Sequence, residues 1–166
     1  MFDRIAVSII IPVYNAKSYI KNCLDILLKQ NFKEKFEIIM VDDASTDNSF
    51  EIIQSFKISN LKLIKLIKNS GQSVARNKGL EKAEGEYVYF MDVDDEIDKD
   101  SLKILYALAK ENNIDLIFSD FKRIVNNRNQ RKYTYNYEEN KIFNRNDLLE
   151  NMQKEIQLIL NLHQGK

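Results

Sequence analysis

Asp92, Asp94 and Asp95 close the stretch YVYFMDVDD, whose first five residues are apolar or aromatic. Ionised carboxylates at the end of a buried strand repel one another and lose hydration, so something must compensate them. In an extended segment Asp92 and Asp94 fall on the same side, and a divalent cation would answer their repulsion. With oxygen donors alone and no His or Cys nearby, the set suits a hard ion, Mg2+ or Mn2+. Such an ion keeps open positions that phosphate oxygens can fill. The competing reading is a solvated turn that caps the helix starting near residue 99. For Asp98 and Asp100, capping is a sufficient reason.

These acids need a scaffold, and the chain alternates apolar β-branched runs with helix-like segments. Residues 6–13 and 36–41 are nearly continuous apolar runs, as expected of strands buried on both faces. Residues 61–67, LKLIKLI, alternate like a strand with one wet face, and 87–91 and 115–121 complete the set. Helical spacing appears in 18–30, in a segment through Phe56 with Asp47 as its N-cap, in 73–83 closed by Gly85, and in 99–112. Strand–helix alternation with short connections predicts an α/β fold with a mostly parallel sheet and helices on both faces. Such sheets bind ligands at the carboxyl ends of their strands. There the polar clusters PVYN, DDASTD and MDVDD fall.

Bulk properties narrow the class. The chain has 166 residues, enough for one domain with a real core, and its 25 basic and 25 acidic residues cancel. No net charge therefore argues for nucleic acid or an anionic membrane. The single cysteine, Cys23, excludes an internal disulfide and suits a reducing compartment; its place on an apolar helix face predicts a core thiol. No apolar run approaches the roughly 20 residues of a membrane span, and the N-terminal run lacks the features of a secretory signal. Three other acidic sites fit poorly. An EF-hand starting at Asp92 would need Gly and Glu where Ile97 and Lys103 stand. A dinucleotide fold needs a glycine-rich first turn, which PVYNAK lacks. A phospho-acceptor receiver is disfavoured by the absence of an acid after the first strand.

Four segments in order, VSIIIPVYN (7–15), VDDASTDNS (41–49), NSGQSVARNKGL (69–80) and GEYVYFMDVDD (85–95), resemble the family 2 glycosyltransferases. These are inverting enzymes of the GT-A fold, Rossmann-like, that use nucleotide-sugar donors. The resemblance covers roughly residues 6–120. Pro12, Tyr14 and Asn15 match the segment that lines the nucleotide pocket in that family. Pro12 is expected to end the first strand, since it cannot donate to a ladder. Tyr14 can stack on a base or fill a core. Asp43 matches the acid that accepts the uracil imide proton, with Asp42 holding the loop. Arg76 and Asn77 match donor-side residues; Arg76 can pair with phosphate, brace the aspartates, or sit solvated on its helix. MDVDD matches the DxD motif. It implies Asp92 near the ribose or metal shell, Val93 at the donor, and Asp94 as the direct ligand to Mn2+ or Mg2+.

The resemblance implies transfer of a sugar, with inversion, from a UDP-sugar to a glycan, polysaccharide or lipid-linked acceptor. The alternative is a nucleotide-sugar-binding module without turnover. The bulk properties imply a cytoplasmic protein with no nucleic-acid partner, and peripheral contact at the inner membrane face is expected. Residues 1–122 are expected to form the donor core. Residues 123–166 are expected to give a polar loop or hairpin and an amphipathic helix, the start of an acceptor-side half. Leu148, Met152, Ile156 and Ile159 share one face of that helix and suggest a homodimer contact. The family's general base is not recognised. Glu138–Glu139 is the acidic pair before the last helix and lacks the flanking pattern, and His163 is expected to be a solvated tail residue.

Overall fold

A computed structural model describes residues 4–117 and 119, and the backbone of 121–125 and 129–133. The chain forms two compact units, Met1–Asn113 and Ile114–Lys166. The first holds β1 (Val7–Val13), α1 (Ile20–Leu28), β2 (Phe36–Asp42), α2 (Ser49–Ser55), β3 (Leu61–Lys65), α3 (Gln72–Leu80), β4 (Tyr87–Phe90) and α4 (Ser101–Asn112). Its sheet is parallel throughout, in the order β3-β2-β1-β4. In the second unit β5 (Phe121–Val125) and β6 (Asn129–Tyr133) pair antiparallel. Among the described residues no helix is long and apolar enough to cross a membrane.

Burial explains the central strands. On one face Ile9, Ile11, Ile38 and Met40 pack with Ile20, Leu24 and Leu27 of α1, Ile53 of α2 and Leu102 of α4. The other face, with Ile10, Ile39 and Val41, is covered by α3 through Ala75. Helix α3 lies very close: a Cβ at Gly79 would fall well inside van der Waals contact distance of Ile10 Cγ2. Cys23 is buried in the first cluster. Burial, then the charges of Asp95 and Asp94, push its thiol up to about 12, so it stays protonated and inert.

Several local expectations are corrected. Strand β1 does not stop at Pro12, because Pro12 still pairs in register with Val41 and the Val13 carbonyl accepts the Asp43 amide at 2.8 Å. The missing N–H lies on the β4 side, where pairing has already ended at Ile10. Gly85 does not close α3, whose C-cap is Glu81. It lets the chain approach β1 instead: a Cβ there would sit 2.5 Å from the Ser8 nitrogen. Asp100 occupies the N-cap of α4 without a side-chain capping bond. Its Oδ1 accepts from Asn31 Nδ2 at 2.8 Å, while Asp98 Oδ1 accepts the Asp100 amide at 3.1 Å. Asn48, not Asp47, is the N-cap of α2. Asp47 acts from one position out, accepting the amide and hydroxyl of Ser49 and, at 3.2 Å, the Lys17 amide. Residues 115–117 and 119 lie outside any ladder. An apolar run becomes a strand only where a neighbour offers pairing, and Leu116 is left 53% exposed.

Candidate functional site

At the carboxyl ends of the strands a cleft of about 230 Å3 is lined by Pro12, Val13, Tyr14, Asp43, Gln72, Asp92, Val93 and Asp94. Six of these eight were expected from sequence, and they come from the ends of three strands and the loops that follow them. The parallel sheet brings them together because β1, β2 and β4 end on the same edge. Tyr14 is 47% exposed, so it is not a core tyrosine. Val13 and Gln72 were not foreseen. Gln72 follows Gly71, whose φ of +87° a residue with a side chain rarely adopts; the position after that turn was the available signal.

Asp43 is only 3% exposed, and its two oxygens accept the amides of Ser70 and Gly71, each at 2.8 Å. The acid therefore fixes the turn that starts α3. Each carboxylate oxygen retains a second acceptor lone pair. Asp42, fully buried, accepts the Ser45 amide through Oδ2 at 3.3 Å, as expected of a loop-holding residue. Its Oδ1 has no hydrogen-bond partner among the described residues. Asn15 adopts φ +50°. Its Oδ1 accepts from the Thr46 amide and hydroxyl and the Asp47 amide at 2.8, 3.1 and 3.3 Å. It thus ties the loop after β1 to the loop after β2, outside the lining of the cleft.

Arg76 projects from α3 and donates to Asp92 Oδ1 at 2.7 Å, the bracing arrangement considered for it. Its Nε is buried without a partner among the described residues. Asn77 is exposed on the same helix and does not line the cleft. The Asp95 amide donates to the Asp92 carbonyl at 3.1 Å, folding the acidic segment into a turn. Burial first, then the charges of Asp92 and Asp94, raise the Asp95 carboxyl above its usual range. Among the described residues no three His, Cys, Asp or Glu side chains converge as a metal cage. Glu138, Glu139, His163 and the expected last helix lie outside the described residues.

The glycosyl transferase family 2 model matches residues 8–160. The chain belongs to that family. It is 41% identical over 120 residues to the poly(ribitol-phosphate) β-N-acetylglucosaminyltransferase TarS of Staphylococcus aureus, covering 70% of this chain and 21% of the relative. Over 122 residues it is 43% identical to a poly(ribitol-phosphate) β-glucosyltransferase of Bacillus spizizenii, covering 71% and 19%. The chain thus spans about a fifth of the length of these relatives.

The solved structures agree on the fold. The crystal structure of residues 1–349 of S. aureus TarS with UDP matches at a TM-score of 0.62 and 41% identity, covering 66% of this chain and 33% of that one. A mannosyltransferase from Pyrobaculum calidifontis, solved with GDP-mannose and Mn2+, matches at 0.58 and 30% identity, covering 64% and 33%. The fold of the first unit is that of the GT-A glycosyltransferases.

Proposed function

We propose that the cleft binds a UDP-sugar and that the chain supplies the donor half of an inverting transfer to a glycan or polysaccharide acceptor. The observation that carries this reading is the convergence of Tyr14 and Asp43 with Asp92, Val93 and Asp94 in one cleft. Tyr14 offers an exposed ring for stacking on uracil, a contact worth about 1–3 kcal/mol. Asp43 accepts the imide N–H on a lone pair that Ser70 and Gly71 leave free. Stacking tolerates any base, so Asp43 is the selective element. Pro12 and Val93 wall the nucleoside, Arg76 holds Asp92 and faces the diphosphate, and Asn77 lies beside it on the donor-side helix.

The donor set fits a shared ion rather than a protein-only cage. Asp94, with Asp92 beside it, would hold a Mn2+ or Mg2+ whose remaining positions go to diphosphate oxygens and water. When bound, the ion neutralises charge on the departing nucleoside diphosphate. The names of the two curated relatives support a polyol-phosphate polymer as the acceptor class. Residues 1–122 would hold the donor, and residues 123–166 would begin the acceptor side. The expected location is the cytoplasmic face of the membrane, where lipid-linked acceptors are reached.

Asp43→Asn tests the base assignment. It conserves size but places a donor where an acceptor is needed, so UDP affinity should drop at least tenfold, the loss of a buried charged hydrogen bond. Undiminished binding, or a preference of the parent for GDP, would count against a uracil site. Transfer from a panel of UDP-sugars to simple acceptors separates the two functional readings: turnover supports the enzyme, and binding alone supports a donor module.

A further inference from the structure

The opposite end of the sheet carries a buried polar network that donor binding does not use. Glu37 of β2 is 2% exposed and Ser8 of β1 is fully buried. Ser8 Oγ donates to Glu37 Oε1 at 2.6 Å, and the Glu84 amide donates to the same oxygen at 2.8 Å. The Gly85 amide donates to Ser8 Oγ at 2.8 Å. From β3, Lys62 Nζ reaches both Glu37 Oε2 and Glu84 Oε1 at 2.7 Å. One carboxylate therefore links β1, β2, β3 and the turn that enters β4. Glu37 and Lys62 also line a recess of about 460 Å3 on that side.

Burying this charge is not the cheapest way to stabilise a sheet, because well-packed apolar residues do as well or better. What the network supplies is register. Strand β4 has four residues and, among the described residues, pairs only with β1, from Val7↔Tyr87 to Ile10↔Phe90. So short a ladder offers few hydrogen bonds to hold its register. A slip of one residue would move Asp92 and Asp94 by about 3.3 Å and exchange their sides. By contrast, Tyr14 and Asp43 follow β1 and β2, which share a seven-residue ladder.

We propose that Glu37 is a positioning residue: by holding the 84–85 turn against Ser8 it fixes β4 and so sets Asp92 and Asp94 opposite Tyr14 and Asp43. Its functional half rests on the donor-site reading above; its structural half does not. Glu37→Ala should loosen the diphosphate side of the cleft and spare the base side. Glu37→Gln keeps an acceptor for Ser8 and Glu84 and should lose much less.

Two measurements on the full chain, below the melting temperature of each variant, test this. Amide hydrogen exchange reads the sheet directly. In Glu37→Ala the Tyr87 and Met91 amides, bonded to the Ala6 and Ile10 carbonyls, should exchange at least tenfold faster. The Asp43 amide, bonded to the Val13 carbonyl, should change by less than about twofold. Calorimetric titration of UDP with Mn2+ should show at least a tenfold loss, and NMR titration of uridine alone less than about twofold. Gly85→Ala, which obstructs the same approach from the backbone, should reproduce the pattern. Uniform acceleration of exchange across the sheet, or equal losses for uridine and UDP, would overturn the proposal. If the parent binds no UDP, the donor reading fails, while the exchange pattern still decides the register claim.

Discussion

The two ends of the sheet use the same chemical group in opposite ways. At the amino ends, Glu37 receives Ser8, the Glu84 amide and Lys62. Burial pushes its carboxyl up, but the close Lys62 ammonium and the hydrogen bonds from Ser8 and Glu84 outweigh it and hold the group below its ordinary range. At the carboxyl ends, Asp92, Asp94 and Asp95 crowd together, and the ion pair found there among the described residues is Arg76–Asp92. Asp95 is displaced upward. One end spends its carboxylate on holding strands, whereas the other keeps carboxylates short of partners. A ligand has most to stabilise in the second kind.

The strongest way to break this contrast is Glu37→Ala. It leaves the Ser8 hydroxyl and the Glu84 amide without their acceptor, at about 1–3 kcal/mol for each buried donor left unsatisfied, to be read as a lower urea midpoint at pH 7. The same group predicts the acid limb. Its folded pKa is depressed, so its contribution is complete above the unfolded carboxyl value of about 4.3. That contribution is lost as pH falls through the lower folded value. The stability difference between parent and Glu37→Ala should therefore shrink below about pH 4. A difference that stays constant down to pH 2 would contradict the pairing.

A smaller effect sharpens the coupling between the sheet and the site. Gly79→Ala pushes a methyl into the buried Ile10 side chain, and overpacking of this kind costs about 1–3 kcal/mol. Lifting α3 also moves Arg76 from Asp92, so thermal unfolding and UDP affinity should fall together. The smallest effect is Ala44→Gly. Ala44 sits at φ +57° between Asp43 and Ser45, a conformation that costs a side-chain-bearing residue about 1 kcal/mol. Glycine removes that cost and adds unfolded-state entropy, so a net gain of about 0.5 kcal/mol is expected by chemical denaturation.

Much of this was legible in the chain because the physics is local. Largely apolar runs such as VSIII and EIIMV announce buried strands, and alternation with helices implies that their polar tails share one edge. Tyr14, Asp43, Asp92 and Asp94 were visible because charged and aromatic residues directly after such runs need a reason. The failures arose where the deciding partner is distant in sequence. Gly85 looked like a helix stop, but Ser8 across the sheet explains it. Asp100 looked like a cap, but Asn31 claims its carboxylate. Glu37 drew no comment inside the run 36–41; only the 84–85 turn and Lys62 give it a purpose.

The central claim is that the acidic end of the sheet holds a nucleoside diphosphate through a shared ion, and calorimetric titration of UDP tests it most directly. The parent should bind in Mn2+ and lose at least tenfold when a chelator replaces the ion, since the ion supplies the charge that the diphosphate needs. Asp94→Ala should abolish that difference while its unfolding free energy from urea titration stays within about 0.5 kcal/mol of the parent, as expected for an exposed side chain. Equal UDP affinity with and without the ion, or an Asp94→Ala titration that matches the parent in Mn2+, would contradict the account.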